Sequence, residues 1–476
     1  MKRIKFTYLI AAAISASIML SATACNTSSI QTTTGTTNTE VVSASNMSSD
    51  NEISNFNDSE HAIEASGQTA DYSNITVNKT GSSSAGDEAD FYGDNSAIFA
   101  TDKATLTLKN ITVNTNGKHA NAVFSYGSGT TVNISDSKIK TEGDCSGGLM
   151  TTGGGTMNAT NLDIYTTGNS SAAIRSDRGG GTVNVDGGTY KTEGQGSPVI
   201  YSTADITVSN AKLESTSSQG VVVEGKNSVT LKNVDLTADN NSQNSDKSSY
   251  YQAVMIYQSM SGDASVGLAE FTMSGGSLTN KKGDVFFVNN TATTIKLENV
   301  KIENEDGNGV LLRACAAGWG TEGSNGGKVN LYLSKQAQEG DIIVDSISVL
   351  NMYLESGSTY SGAVNSENRG QVYVQIESGS KWVLTGDSYV TSLSCDANAI
   401  DLNGHKLYVN GVEYSEGTAS KGSAIEIKTE SSSSGQPDGM PGEPPSGEKP
   451  QGDPPSGDPP SGGPGNGEQP PAKPEN

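Results

Sequence analysis

The chain has 476 residues, of which only 33% are hydrophobic, together with 56 glycines and a formal net charge of −23. A chain of this length can bury a large core, but its low apolar content predicts that part of it stays outside any core. The strong negative charge repels nucleic acid and anionic lipid head groups, which argues against DNA or RNA as a partner.

The first 25 residues have the layout of an export signal. A basic head of three Lys and Arg residues precedes an apolar run of about 15 residues, and small residues precede Cys25. Residues 22–25, Ala-Thr-Ala-Cys, resemble the lipobox of bacterial lipoproteins, although alanine replaces the usual leucine. Ala-x-Ala also suits ordinary signal cleavage, so lipidation of Cys25 and plain secretion both remain open. Either way we expect a signal peptide over residues 1–24 and an extracellular protein, lipid-anchored to the cell membrane or secreted.

Two arms that we predict to be disordered flank the middle of the chain. Residues 25–70 are rich in Ser, Thr and Asn without an apolar period, which is typical of a flexible tether. Residues 416–476 contain 13 of the 14 prolines and three copies of Pro-Pro-Ser-Gly, which predicts an extended acidic tail. A solvating arm and a docking motif are both open interpretations of this tail.

Between the arms one eight-residue sequence pattern recurs. Apolar residues alternate with residues of any type, Asn, Asp or Gly follows, and a second pair of apolar residues comes after it. Its clear copies are LTLKNITV (106–113), VNISDSKI (132–139), MNATNLDI (157–164), VNVDGGTY (183–190), ITVSNAKL (206–213), VTLKNVDL (229–236), FTMSGGSL (271–278) and IKLENVKI (295–302). Looser copies start at 329, 350 and 372. A period near 23 residues indicates a repeat architecture.

Each unit alternates apolar and polar residues, as a strand with one buried face does, and a second short strand follows it. One unit hides about six apolar side chains at about 2 kcal/mol each, whereas ordering its ~23 residues costs at least ~1 kcal/mol apiece. Stacking gives every strand hydrogen-bonded neighbours on both sides. We therefore predict an all-β fold, a single-stranded parallel β-helix of about 11–12 coils over residues 71–415.

The stacked units resemble the right-handed parallel β-helix of the pectin-lyase-like superfamily. The resemblance covers roughly residues 71–415, and it implies ladders of turn residues whose side-chain amides hydrogen-bond along the stack. With the export signal, tether and tail, the overall plan is similar to clostridial β-helix carbohydrate-binding surface proteins, although several of their repeat signatures are missing. The expected ladder residues are Asn110, Asp136, Asn161, Asn210, Asn233 and Asn299.

The motifs of enzymes with this fold are mostly missing. The sequence has no Asp-Asp pair of the kind hydrolases use for acid and base work, and no RxPxxR of the lyases. The best catalytic candidates are Arg175 and Asp177, for which a surface ion pair is the alternative. The three histidines, His61, His119 and His405, have no spacing typical of a metal site or a triad.

Calcium is the one cofactor that the sequence suggests. Asp87, Glu88, Asp90 and Asp94 lie within eight residues and offer the oxygen ligands that calcium prefers. Their spacing is not that of an EF-hand, so a solvated acidic loop is the alternative.

The residue between the two leading apolar positions should point outward and form a long polar row. In the looser copies Tyr332 and Tyr353 come two residues after this outward position. They should lie about 5 Å apart on successive coils. Aromatic rings exposed in line are typical of sugar-binding surfaces, and mutual stacking that stiffens the rod is the alternative. The predicted row is Thr107, Asn133, Asn158, Asn184, Thr207, Thr230, Thr272, Lys296, Asn330, Asn351 and Tyr373, the last being a third aromatic candidate.

Insertions near residues 237–270 and 316–327 interrupt the repeat. Loops of this sort often carry function on repeat scaffolds, and these bring Tyr250, Tyr251 and Trp319 as further sugar-binding candidates. Ordinary loop packing is the alternative.

The sequence therefore predicts a non-catalytic cell-surface protein that binds a polysaccharide or cell-wall glycan or mediates adhesion. It would contact the membrane only through its N-terminal lipid. The alternatives are a polysaccharide lyase or glycoside hydrolase with a non-standard site, and a purely structural spacer.

Overall fold

The computed structural model describes residues 47–48 and 51–429, except 244, 246 and 248. The predicted signal peptide with Cys25, most of the tether and the proline-rich tail lie outside the described residues. Within the described residues the strands form four sheets, and Asp87–Tyr92 is the one α-helix. The chain is therefore all-β in this part, as predicted.

The first sheet forms one long face of the stack and has 21 strands within the described residues. Most of these strands pair in parallel with the equivalent strands of the coils before and after. They are Met47–Ser48, Glu52–Asn55, Thr69–Ser73, Thr76–Lys79, Thr105–Lys109, Thr112–Thr115, Thr131–Ser135, Lys138–Thr141, Gly155–Thr166, Gly181–Thr192, Asp205–Ser209, Lys212–Ser215, Ser228–Ala238, Leu268–Asn280, Ala292–Glu298, Lys301–Asn304, Lys328–Ser334, Val349–Glu355, Gln371–Ile376, Ser392–Cys395 and Ser420–Lys421.

The second sheet has eleven strands in the described part of the chain, and all of its strand pairings are parallel. Each strand belongs to a different coil, which confirms the predicted parallel β-helix. The strands are Ile63–Ser66, Ile98–Thr101, Val123–Tyr126, Leu149–Thr152, Ile174–Ser176, Ile200–Ser202, Val221–Glu224, Gln252–Tyr257, Asp284–Asn289, Val310–Ala314 and Asp341–Val344. Two smaller sheets consist of Ala337–Glu339, Thr359–Ser361, Lys381–Val383 and Ile400–Asp401, and of Ser388–Val390, Leu407–Val409 and Val412–Glu413.

Strand register places the eight clear copies of the repeated sequence pattern directly above one another. Their first apolar residues form one column inside the stack, and each is at most 1% exposed. Because every coil adds one member to this column, the coils share a single continuous core. The column is Leu106, Val132, Met157, Val183, Ile206, Val229, Phe271 and Ile295.

The looser copies align two residues away from their predicted register. Ile295 lies beside Leu331, and Lys296 therefore lies beside Tyr332 rather than beside Asn330. The outward row thus continues through Tyr332 and Tyr353, whereas Asn330, Asn351 and Tyr373 form the neighbouring column. Since side chains alternate with period 2, a shift of two residues keeps the same face, and alternation alone cannot detect it.

The predicted ladder of turn residues is confirmed in its backbone conformation and in two of its side-chain hydrogen bonds. All six residues have left-handed backbone, with φ between 50° and 54°. The Asn161 Nδ2 donates to Asp136 Oδ1 at 3.0 Å, and the Asn233 Nδ2 donates to Asn210 Oδ1 at 3.0 Å. Gly187 and Gly275 occupy this turn in two other coils, and beside Gly187 the Asn210 Nδ2 donates to the adjacent Asp186 Oδ1 at 2.7 Å instead.

The β-helix begins inside the range that composition assigns to the tether, residues 25–70. Glu52–Asn55 pairs in parallel with Thr76–Lys79, and Ile63–Ser66 pairs in parallel with Ile98–Thr101. This first coil is rich in Ser, Asn and Glu, so it lacks the apolar repetition that marks the later coils. At the other end Ser420–Lys421 adds an antiparallel strand beyond residue 415.

A second ladder, formed by glycine and serine, was missed by the sequence analysis. A Cβ on Gly143 would lie 2.0 Å from the carbonyl oxygen of Gly117, so the close approach of successive turns requires glycine. Ser146, three residues after Gly143, donates its hydroxyl to that same Gly117 oxygen at 2.8 Å. The same Gly-x-x-Ser contact recurs in the next two coils, through Gly168 with Ser171 and Gly194 with Ser197.

Gly143→Ala tests this ladder. The added methyl must push two coils apart, so we expect a loss of about 1–3 kcal/mol of unfolding free energy, seen as a lower urea midpoint. Gly307→Ala is the matched control, because a Cβ there meets nothing within 4 Å. Equal urea midpoints for the two variants would contradict the close-approach explanation.

Lys79 is an unusual interior residue of an early coil. It is fully buried and takes the position that Thr115 and Thr141 hold in the next two coils. Its Nζ donates to the carbonyl oxygen of Asn57 at 2.5 Å. Burial lowers the pKa of Lys79 to about 8, although nearby carboxylates oppose this shift.

A buried lysine with a lowered pKa makes stability depend on pH. Between about pH 8 and the unfolded-state pKa of 10.5, the folded chain loses this proton while the unfolded chain keeps it, so stability rises with pH. We expect Lys79→Thr to raise the melting temperature at pH 7, and the gain over wild type to shrink by pH 9.5. A gain that is constant across this range would show that the charge of Lys79 is not the cause.

Candidate functional site

A column of side chains runs along the outer face of the second sheet, where solvent would be expected. Its middle members are charged or phenolic, and apolar residues lie on both sides of them. The column is Phe99, Phe124, Met150, Arg175, Tyr201, Val222, Met255, Phe287 and Arg313.

Inserted segments cover both apolar stretches of this column. The segment with the helix Asp87–Tyr92 covers one of them: Gly93 packs against Phe99 and Phe124, and the Phe91 carbonyl accepts a hydrogen bond from Thr152 Oγ1 at 2.7 Å. Over the other stretch, Val222, Met255 and Phe287 form a cluster with aromatic residues of the later insertions. The insertions therefore close over the outer face and leave a polar centre between them.

Arg175 lies at this polar centre, and its side chain is only 15% exposed. Its Nη1 is 3.2 Å from Asp90 Oδ2, and its Nη2 is 2.7 Å from Asp177 Oδ2. Both carboxylates are buried. Arg175 and Asp177 are therefore not the surface ion pair considered from the sequence, because the inserted helix brings a third charged group, Asp90, and buries all three.

A cluster of nitrogen, oxygen and sulfur atoms lies beside this triad of charges. The Nδ1 of His119 is 3.1 Å from Asp90 Oδ1, and Asn121 donates to the same oxygen at 3.2 Å. Cys145 completes a group in which one ligand atom each of Asp90, His119 and Cys145 lies within 4.8 Å of the others. The sequence spacing of the histidines did not predict this group, because Asp90 comes from an insertion.

On the other side of Arg175, a buried carboxylate is held by hydroxyl groups. Glu224 is 1% exposed and accepts hydrogen bonds from the hydroxyls of Tyr201, Tyr257 and Ser259. Tyr201 lies next to Arg175 in the column, so the two networks are adjacent.

The pKa shifts follow from burial and from these pairings. Burial opposes the charge on Asp90, but Arg175, His119 and Asn121 outweigh it and hold the pKa of Asp90 below its usual value. For Asp177, burial outweighs Arg175 and raises the pKa. Burial, Tyr257 and Glu224 raise the pKa of Tyr201 far above its usual value, so this phenol stays protonated as a donor.

The structure does not bring the four proposed calcium ligands together. No three of them have oxygens within 4.8 Å of one another. Asp90 points to Arg175 and His119, whereas Asp94 accepts a hydrogen bond from Ser83 at 3.1 Å. Asp87 and Glu88, on the same short helix as Asp90, are not buried.

Tyr332 and Tyr353 lie as predicted on successive coils, with ring centroids 4.5 Å apart and planes within 8° of parallel. Rings stacked this way along the coil axis turn their faces to each other and present edges and hydroxyls to solvent. The stacked geometry therefore favours mutual stabilisation over a platform for a sugar face.

Tyr373, the third aromatic candidate in this region, is only 3% exposed. The backbone of Ser423 hydrogen-bonds to Ser392, and that of Ile425 hydrogen-bonds to Asn351. Ser392 and Asn351 flank Tyr373 in the ladder, so this C-terminal segment crosses the coil of Tyr373. Sequence alternation could not show that the chain folds back over its own sheet.

The aromatic residues of the insertions pack against the second sheet, away from the stacked tyrosines. Trp319 meets Tyr257 edge to face at 5.1 Å, and Tyr250 lies over Phe287 at 5.5 Å with the guanidinium of Arg313 4.4 Å from its ring centroid. Tyr251 is half-buried, with Lys282 Nζ 5.9 Å from its ring centroid. These contacts favour loop packing over a free sugar-binding surface.

Two shallow pockets that the sequence analysis missed lie on the outer face of the first sheet. They lie on the same coils, on opposite sides of the turn column that includes Gly187. The first, about 380 Å³, is lined by Asn158, Ala159, Thr160, Asn184, Val185, Asp186, Thr207, Ser209 and Asn210. The second, about 430 Å³, is lined by Asp163, Ile164, Tyr165, Thr189, Tyr190, Lys191, Lys212 and Glu214.

No protein-family model, curated protein or solved structure matches this chain. Among the described residues, none of the helical structure has the length and hydropathy needed to cross a membrane.

Arg175→Met tests whether the polar centre depends on its buried cation. Removing the guanidinium leaves the buried Asp90 and Asp177 without their shared cation, so we expect a loss of about 3–5 kcal/mol in urea unfolding. Arg178→Met is the matched control, because Arg178 is 49% exposed and pairs with Asp263, a contact worth about 1 kcal/mol or less. Similar losses for the two variants would contradict the special role of Arg175.

Proposed function

We propose that this chain is an exported surface protein that binds a neutral polysaccharide along the outer face of its first sheet. The observation that supports this proposal is the pair of adjacent pockets on either side of Gly187. Their lining offers amides, hydroxyls and carboxylates, the groups that hydrogen-bond sugar hydroxyls. Sugar rings bound in neighbouring pockets could belong to one glycan chain.

Tyr165 gives the second pocket an aromatic ring, which distinguishes it from an ordinary polar surface. The ring is half-buried, and Lys191 Nζ lies 5.8 Å from its centroid. The Tyr165 hydroxyl also hydrogen-bonds Glu193, which raises the pKa of Tyr165. A ring held this way is positioned to pack against the apolar C–H groups of a sugar.

The charge of the chain supports a neutral glycan. The net charge of the chain is −23, so a polyanion such as polygalacturonate would be repelled at long range. The pockets do not offset this repulsion, because Asp163, Asp186 and Glu214 outnumber Lys191 and Lys212 in their lining. A larger pocket of about 560 Å³ is lined by Glu303, Glu305 and Glu339 without an aromatic ring, and it suits a glycan less well.

The rest of the proposal follows the sequence. Cys25 would carry a lipid anchor, the segment after it would be a tether, and the β-helix would project from the cell surface. The relation to the pectin-lyase-like superfamily is part of the same proposal and is supported by parallel coils and Asn ladders. Binding without turnover is favoured because Arg175 and Asp177 are buried and paired with each other.

Affinity electrophoresis of the full chain in gels with soluble glucan, xylan, mannan or polygalacturonate tests this proposal. We expect retardation by at least one neutral glycan, and about tenfold weaker binding for Tyr165→Ala, which corresponds to about 1.4 kcal/mol. Tyr353→Ala is the matched control, since Tyr353 is also half-buried but lies outside both pockets.

Three outcomes would contradict the proposal. Retardation by polygalacturonate alone would contradict the neutral ligand, and loss of binding in Tyr353→Ala but not in Tyr165→Ala would move the site to the stacked tyrosines. New reducing ends or unsaturated products in the same incubations would indicate a lyase or hydrolase instead.

A further inference from the structure

We propose that Asp90, His119 and Cys145 form a binding site for a divalent transition metal, with zinc the best fit. Their ligand atoms, one from each side chain, lie within 4.8 Å of one another. Bonds of about 2.0–2.3 Å to zinc are reached after shifts of about 1 Å or less. Glycan binding on the first sheet does not depend on this site.

The fold itself places two of the three ligands side by side. His119 and Cys145 occupy the same turn position in successive coils, each two residues after a ladder glycine, with φ of 58° and 56°. The same position holds Ser170 in the next coil, and its φ is 53°. Equivalent residues of adjacent coils project in the same direction, so the imidazole and the thiol lie next to each other.

The third ligand comes from outside the repeat. The inserted helix Asp87–Tyr92 brings Asp90 over this turn, where it is 3% exposed. Its Oδ1 points to His119 at 3.1 Å, and its Oδ2 is held by Arg175 at 3.2 Å. A carboxylate that binds metal through one oxygen and is oriented by hydrogen bonds from neighbouring groups is the usual arrangement in metal sites.

The geometry argues against a nucleophilic triad of the same residue types. In a triad the two imidazole nitrogens face opposite partners, so the acid and the thiol lie roughly 6 Å or more apart across the ring. Here the carboxylate oxygen and the sulfur are within 4.8 Å of each other as well as of the histidine nitrogen. The three atoms converge on a common point, as metal ligands do.

The charges around the group are also those of a cation site. Asp90 and Asp177 carry two negative charges against the one positive charge of Arg175, and a metal that binds Cys145 displaces the proton of its thiol. A divalent cation brings the whole cluster to neutrality, which matters because Asp90 and Asp177 are buried.

The ligand set selects the metal. Thiolate and imidazole suit zinc and similar transition metals, whereas calcium and magnesium require oxygen ligands. Three protein ligands leave a fourth tetrahedral position for water. Cys145 is partly exposed, so water can reach the group from the side of the sulfur.

Titration of the metal-free full chain with Co²⁺ and Zn²⁺ tests the proposal. All proteins carry Cys25→Ser, which removes the thiol of the predicted lipidation site. We expect one Co²⁺ per chain with a near-ultraviolet sulfur-to-cobalt charge-transfer band, and displacement of Co²⁺ by Zn²⁺. Cys145→Ser should abolish the band, while the buried-thiol control Cys315→Ser should keep it.

Loss of a residue that only hydrogen-bonds to a metal ligand weakens metal binding about 10–100-fold. Loss of a ligand itself costs more, so Cys145→Ser and His119→Asn should each weaken Zn²⁺ binding at least about 100-fold. Serine suits this backbone position, as Ser170 shows one coil further, and asparagine tolerates positive φ. Circular dichroism confirms that each variant is folded. Absence of a stoichiometric cobalt complex, or a band unchanged in folded Cys145→Ser, would overturn the proposal.

Discussion

The parallel pairing of each coil with the next is the interaction on which the rest of this structure depends. A single coil buries too little apolar surface to offset the entropy of ordering its residues. In the stack, one coil supplies hydrogen-bond partners, core contacts and turn contacts to the next. The turn ladders show this most clearly, because Asn161 bonds to Asp136 and Ser146 bonds to Gly117 of the preceding coil.

The same stacking explains why chemistry can accumulate on one face. Because the strands are in register, equivalent positions of successive coils form a straight column. A different residue at that position in one coil therefore lies beside the equivalent residue of the coil before. Arg175 and Tyr201 replace apolar residues of such a column, and His119 and Cys145 replace small turn residues of another. The insertion with Asp90 then covers both columns and joins them into one buried cluster.

The features that repeat with clear apolar or Asn spacing could be predicted from the sequence, and those that depend on insertions could not. The strand alternation and the Asn ladder follow from spacing, and the closeness of Tyr332 and Tyr353 follows from equivalent positions. The partners of Asp90 could not be predicted, because an insertion has no register with the coils. The burial of Tyr373 depends on a C-terminal segment that crosses the sheet, which no local pattern indicates.

Native-state hydrogen exchange of the full chain measures the mutual support of the coils most directly. We expect strong amide protection in the central strands, such as Val221–Glu224 and Gln252–Tyr257, and lower protection toward both ends of the stack. Amides of these central strands that exchange as fast as those of an unfolded peptide would contradict this expectation.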